Sequence, residues 1–210
     1  MATALRGRLE VLLGAEVDFI PGRAAEIMAQ LATYDLDYAL GSVHFLGEWG
    51  FDYSGADWAP LDRETRFGHY ARYFQLLREM AQSRLFEAAA HLDLVKLFSI
   101  EDFHAWLDTD AAWPLIDQAL EAMADAGMAL EVSSAGLRKP CREIYPGPRI
   151  MTHARSFDLP LTFASDAHLA GHVAHAFPRL LAYAASHGFE RCVVFEHGQS
   201  RPIPLTSIKS

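Results

Sequence analysis

Short apolar runs alternate with amphipathic stretches along the 210 residues. Residues 9–13 (LEVLL), 38–43 (YALGSV), 86–90 (FEAAA), 128–132 (MALEV), 161–164 (LTFA) and 192–195 (CVVF) are short, bounded and largely apolar. They read as strands, the first continuing toward Glu16. Residues 23–32, 64–84, 113–126, 148–157 and 173–187 read as helices. In 64–84, Tyr70, Phe74, Leu77 and Met80 recur at helical spacing. Gly127 and Gly188 stand where a helix end favours a residue with left-handed freedom. Strand and helix in alternation predict a mainly parallel sheet or barrel, in one domain over residues 1–210.

In parallel α/β folds, reactive side chains collect at the carboxyl ends of the strands. Here Glu16 follows LEVLLGA and His44 follows YALGSV. His91 and Asp93 follow FEAAA, Glu131 lies within MALEV, and Asp166 and His168 follow LTFAS. Five strand ends each carrying a carboxylate or an imidazole predict a converging set of ligand-type groups. His91-Leu92-Asp93 and Asp166-Ala167-His168 share an i, i+2 spacing, which in extended backbone places both polar groups on one side. Mixed His/Asp/Glu donors suit zinc, manganese or iron and need no thiolate. Either triplet alone fits a surface turn equally well. A lone His44 beside apolar residues fits a hydrogen-bonded core histidine. Convergence is what favours a metal site.

Composition narrows the picture. Hydrophobic residues make up 51% of the chain, enough to bury a sizeable core. Lys plus Arg number 18 against 27 Asp plus Glu, a formal charge of −9. That balance argues against nonspecific nucleic-acid binding and against an anionic membrane surface. It leaves an anionic substrate open, because bound cations reverse the local field. No apolar run approaches the roughly 20 residues of a membrane span. Residues 1–7 are too short and polar for a signal peptide. Cys141 and Cys192 lack zinc-knuckle or thioredoxin spacing and fit a reducing cytoplasm. A Gly-rich phosphate loop with its lysine and a G-x-S-x-G elbow are both missing. Small residues at Ser133-Ser134-Ala135-Gly136 precede Arg138 and Lys139; Arg138 has the planar fork that grips a phosphate, although an ordinary loop reads the same way.

Five segments together resemble the PHP superfamily (polymerase and histidinol phosphatase). They are residues 13–22 (LGAEVDFIPG), 36–45 (LDYALGSVHF), 90–96 (AHLDLVK), 131–140 (EVSSAGLRKP) and 165–168 (SDAH). They occur in family order, and GSVHF and GLRKP are similar to the histidinol-phosphatase branch. The resemblance implies a distorted barrel of about seven β/α units with a metal cluster at the strand carboxyl ends. It implies Glu16, His44, His91, Asp166 and His168 as metal ligands, with Asp166 and His168 also serving catalysis. Arg138, with Ser134 beside it, is implied to hold the substrate phosphate. The implied reaction is hydrolysis of L-histidinol phosphate to L-histidinol and phosphate, in histidine biosynthesis. The alternatives are another small phosphate ester or a nucleotide as substrate, or an impaired copy acting as a binding module.

The family pattern opens with a His-x-His strand and further ligands, and no such segment precedes Glu16 here. The expectation is a barrel without its first one or two β/α units. Fewer than the family's three ions would then be held, and the chain would self-associate through an open strand edge.

Overall fold

The computed structural model describes residues 11–208. In chain order the elements are β1 (Gly14–Asp18), α1 (Ala24–Leu31), β2 (Tyr38–Ser42), β3 (Phe45–Leu46), β4 (Trp49–Gly50), α2 (Gly55–Trp58), α3 (Arg63–Ser83) and β5 (Ala88–Ala89). There follow α4 (Ile100–Leu107), α5 (Ala112–Ala126), β6 (Ala129–Ser133), α6 (Pro148–Ala154), β7 (Leu161–Ala164), α7 (Phe177–Ser186), β8 (Arg191–Glu196) and β9 (Gln199–Pro204).

Five strands form one parallel sheet in the order β1-β2-β5-β6-β7. Every residue of β6 is buried, as a strand covered on both faces requires. The α/β class and the parallel sheet match the sequence reading. Among the described residues the strands do not close into a hydrogen-bonded ring, and β1 has one neighbour, β2.

The helices form where local chemistry closes their ends. The Asp62 carboxylate accepts from the Thr65 amide at 2.8 Å and caps α3. Gly127 ends α5 at φ +68°, the left-handed position its missing Cβ permits. α3 and α5 pack side by side over the sheet. Tyr70 and Phe74 of α3 meet Trp106 of α4 at ring separations of 5.7 and 5.5 Å. All three rings are almost wholly buried, so this aromatic block anchors the sheet's covering layer.

Three expectations change. Residues 9 and 10 of the first predicted strand lie outside the described residues. Residues 11–13 carry no regular structure, and β1 starts at Gly14. The main chain of Leu13 is taken up by Asp37, whose carboxylate accepts the Leu13 amide at 2.7 Å and whose amide donates to the Leu13 carbonyl at 2.7 Å. The CVVF segment is not a strand of the parallel sheet. As β8 it pairs antiparallel with β9. The link is His197-Gly198, both at positive φ (51° and 73°), the two-residue hairpin geometry whose twist suits antiparallel strands. The helix expected over 173–187 starts only at Phe177, because Ala174 and Ala176 take left-handed backbone.

Candidate metal centre

Glu16 and Asp18 alternate with Val17 along β1, so both carboxylates face the same side. β2 lies alongside in register, Glu16 beside Leu40, and delivers His44 just past its end. β5 delivers His91 at φ +27°, and β7 delivers Asp166 at φ +46°. Four strand ends thus feed one pocket of about 270 Å³. All five expected ligands, Glu16, His44, His91, Asp166 and His168, line it.

Three of them meet at ligand range. The Glu16, His44 and His91 donor atoms all lie within 4.8 Å of one another. His91 Nε2 is 3.0 Å and His44 Nε2 3.5 Å from Glu16 Oε1. His44 Nδ1 donates to Asp18 Oδ1 at 2.5 Å. That pairing keeps the proton on Nδ1 and leaves the Nε2 lone pair facing Glu16, the usual arrangement behind a metal-binding histidine. Asp166 and His168 form a separate pair on the same wall, His168 Nε2 to Asp166 Oδ1 at 2.9 Å, with His168 80% exposed.

Electrostatics separate the carboxylates. Burial pushes Glu16 upward, but the hydrogen bond and charge of His91, with the charge of His44, outweigh it and bring it down to about 2. Glu16 is therefore an anion at neutral pH. Burial works against a charged His91, yet Glu16, Glu131 and Asp166 together raise its pKa. Beneath it, Glu131 Oε2 accepts the His91 amide at 2.8 Å. Burial drives Glu131 up to about 7; His91 opposes that, and the charges of Glu16 and Asp166 add to it. Glu131 acts as a support under the turn that presents His91, and the geometry gives it no direct place among the three donors.

A divalent cation fits this donor set. Two imidazoles and one ionised carboxylate are the chemistry that zinc, manganese and iron take.

Arg138 and Ser134 are placed differently from expectation. Arg138 Nη2 donates to the carbonyls of Ser165 and Asp166 at 2.6 and 3.0 Å, so it braces the loop carrying Asp166. Its neighbour Lys139 is the cation that lines the pocket. Ser134 is fully buried and is not among the residues that line the pocket. Residues 135–138 form a 3₁₀ turn, and spacing alone does not say which of the two cations that turn directs inward.

Asp18, Asp52 and Lys139 also line the pocket without having been singled out. Asp18 was within reach of sequence reasoning, since it sits two residues from Glu16 in a strand. Two wider clefts, 350 Å³ beside Arg155 and Phe189 and 490 Å³ beside Arg142 and Arg179, contain no such donor group among the described residues.

The PHP domain model matches residues 1–135. A probable histidinol-phosphatase of Deinococcus radiodurans is 38% identical over 196 residues, spanning 93% of this chain and 72% of that protein. The histidinol-phosphatase of Bacillus subtilis is 30% identical over 190 residues, spanning 84% and 70%. The crystal structure of histidinol phosphate phosphatase from Lactococcus lactis, complexed with Zn, L-histidinol and phosphate, superposes with a TM-score of 0.74. That match covers 95% of this chain and 75% of the other at 15% identity, a likeness of fold. With a domain model matching residues 1–135 and a relative 38% identical over 93% of its length, the chain belongs to the PHP family.

Proposed function

We propose that the protein is a metal-dependent phosphomonoesterase that hydrolyses L-histidinol phosphate to L-histidinol and phosphate. One observation carries the reading: Glu16, His44 and His91 converge at ligand range in a chain 38% identical to a named histidinol-phosphatase. The reaction joins a water oxygen to phosphorus and breaks the ester P–O bond, and the leaving alkoxide takes up a proton.

Glu16, His44 and His91 would hold the divalent ion, with the Asp166–His168 pair on the same pocket wall. A bound cation of this kind lowers the pKa of water and offsets phosphate charge. The chain's own residues do the rest. Asp18 fixes the His44 tautomer. Glu131 and the Tyr73 hydroxyl hold the His91 main chain, through its amide at 2.8 Å and its carbonyl at 3.3 Å. Lys139 attracts the phosphate oxygens, and Arg138 keeps the Asp166 loop in place. Preorganised charge of this sort is the main source of rate in phosphate-ester hydrolysis. The donor set suits zinc, manganese or iron, and the three-residue group would hold one such ion.

No helix among the described residues is long and apolar enough to cross a membrane. Cys141 and Cys192 are both free and buried, which suits a reducing cytoplasm. Among the described residues β1 is paired on one edge alone, which favours pairing with a second copy, and light scattering showing a strictly monomeric species would refute that.

Phosphate release from L-histidinol phosphate, a sugar phosphate and a nucleotide diester tests the substrate. Metal-loaded protein is expected to prefer the first and to lose activity in chelator. Equal rates on all three would overturn the substrate reading. Full activity without metal would overturn the chemistry.

A further inference from the structure

One carboxylate in the pocket has no task in the metal centre. Asp52 lines the same cavity as Glu16, His44 and His91 but is not part of the three-donor group. Its Oδ1 is buried and accepts no hydrogen bond among the described residues. Native structures pair nearly all such atoms, so an unpartnered carboxylate oxygen on a residue that lines a ligand pocket points to a donor that arrives with the ligand.

The main chain around Asp52 is held firmly. The Phe51 amide donates to the His44 carbonyl at 3.2 Å, and the Phe51 carbonyl accepts from Trp58 Nε1 at 2.7 Å. Phe51 and Trp58 are themselves buried. On the other side, Ser54 caps α2 by accepting the Ala56 amide at 3.1 Å. Asp52 is therefore tied to the strand end that carries a metal ligand, and its carboxylate is presented by a preformed loop.

The pocket also holds a cation, Lys139. A cavity of about 270 Å³ lined by metal donors, one lysine and a carboxylate with an unpartnered oxygen offers groups of both charges. It suits a compact substrate that is anionic at one end and cationic at the other. In an amino-alcohol phosphate the ammonium sits on the carbon next to the ester carbon, close enough to the phosphate for both to fit this volume. A compact ammonium is also the donor that matches a single orphaned oxygen.

We propose that Asp52 is a specificity-determining residue that receives the substrate's ammonium group, so that the pocket selects phosphomonoesters of amino alcohols over uncharged alkyl phosphates. The inference rests on the phosphomonoesterase reading above and adds the group that reads the alcohol.

The test compares wild type with Asp52→Asn, both loaded with manganese. The substrates are L-histidinol phosphate, its analogue lacking the amine, and propyl phosphate. Losing a charge-assisted hydrogen bond is expected to lower the efficiency ratio of histidinol phosphate to propyl phosphate by about 10- to 100-fold, chiefly through KM. Wild type is expected to discriminate against the amine-free analogue, and Asp52→Asn to lose that discrimination. Calorimetry with L-histidinol alone is expected to show the same loss of affinity without turnover. Metal content of the variant should equal that of wild type.

If Asp52→Asn does not fold, Asp52→Ser serves in the same comparison, and Asp52→Glu, which keeps the charge, is expected to recover most of the ratio. A wild type that prefers histidinol phosphate, with the ratio unchanged in the variant, overturns the role of Asp52 and leaves the phosphatase reading standing. A variant that loses metal also overturns it, by making Asp52 a ligand. A wild type indifferent to the amine overturns both this inference and the substrate reading.

Discussion

Replacing Lys96 by Met tests how the His91 turn is held. Lys96 and Asp93 both have side chains with no solvent exposure. Lys96 Nζ donates to Asp93 Oδ2 at 2.7 Å, to Glu143 Oε2 at 2.6 Å and to the Ile144 carbonyl at 3.1 Å. Asp93 Oδ2 also accepts the Gly147 amide at 2.8 Å. The network stitches the turn that presents His91 to residues 143–147. Lys96→Met keeps the apolar stem and removes the ammonium. Asp93 is then buried with one donor, and breaking a buried pair in this way costs about 3–5 kcal/mol. A second line of reasoning reaches the same size. Asp93 can escape by taking up a proton, and holding a carboxyl protonated about three pH units above its free pKa costs about 4 kcal/mol. That escape caps the loss.

Burial already raises Asp93 in the intact protein, with Lys96 pulling the other way. In the variant the folded state keeps the proton and the unfolded state releases it. Stability is therefore lost as pH rises above the unfolded pKa and returns as pH falls. Urea titrations at pH 7 and pH 5.5 are expected to show the deficit shrinking by about 2 kcal/mol. Lys96→Met/Asp93→Asn is expected to recover most of the stability, because the remaining amide is neutral. A deficit below about 1 kcal/mol at pH 7, with no pH dependence, would refute the reasoning.

Further expectations concern the same rim. In metal-free protein Glu131 is raised to about 7, so its folded state binds the extra proton and stability declines between about pH 4.5 and 7. Glu131→Gln is expected to be more stable than wild type by about 3 kcal/mol at pH 8 and by under about 1 kcal/mol at pH 5, read by urea titration. An equal difference at both pH values would contradict this. Asp18→Asn is expected to weaken metal affinity by about 10- to 100-fold, measured by competition with a chromogenic chelator, because His44 loses the partner that fixes its tautomer. Arg138→Ala is expected to speed hydrogen exchange of residues 165–168 by about tenfold or more, since two hydrogen bonds to that loop disappear.

Much of the frame was legible because parallel strands are short apolar runs punctuated by ligand-type residues. The segment YALGSV-His44 showed its strand and its function in one stretch, and LTFA matches β7 residue for residue. β5 was harder. FEAAA narrows to Ala88–Ala89, although the Glu87 main chain still bonds to Ala39 and Ala129 on either side and its carboxylate accepts the Ala39 amide at 2.7 Å. The hairpin of β8 and β9 hid behind an apolar run that reads the same in a parallel or an antiparallel pair; the clue was Gly198 after His197. α4 was missed although Glu101 and Asp102 in its first turn suit a helix start. At the site, strand-end placement was enough to foresee that Glu16, His44 and His91 come together. It did not separate Lys139 from Arg138, since that choice depends on which side chain the 3₁₀ turn Ala135–Arg138 directs inward. Asp52 sits in a loop whose approach to the pocket is set by the buried contacts of Phe51 and Trp58, a tertiary matter.

The central claim is that Glu16, His44 and His91 jointly bind a divalent cation. Anomalous diffraction from zinc-soaked crystals, with data on either side of the zinc edge, tests it directly. The account predicts a peak coordinated by Glu16 and by Nε2 of both His44 and His91. A zinc peak elsewhere, or none with the crystals at saturating zinc, would contradict it.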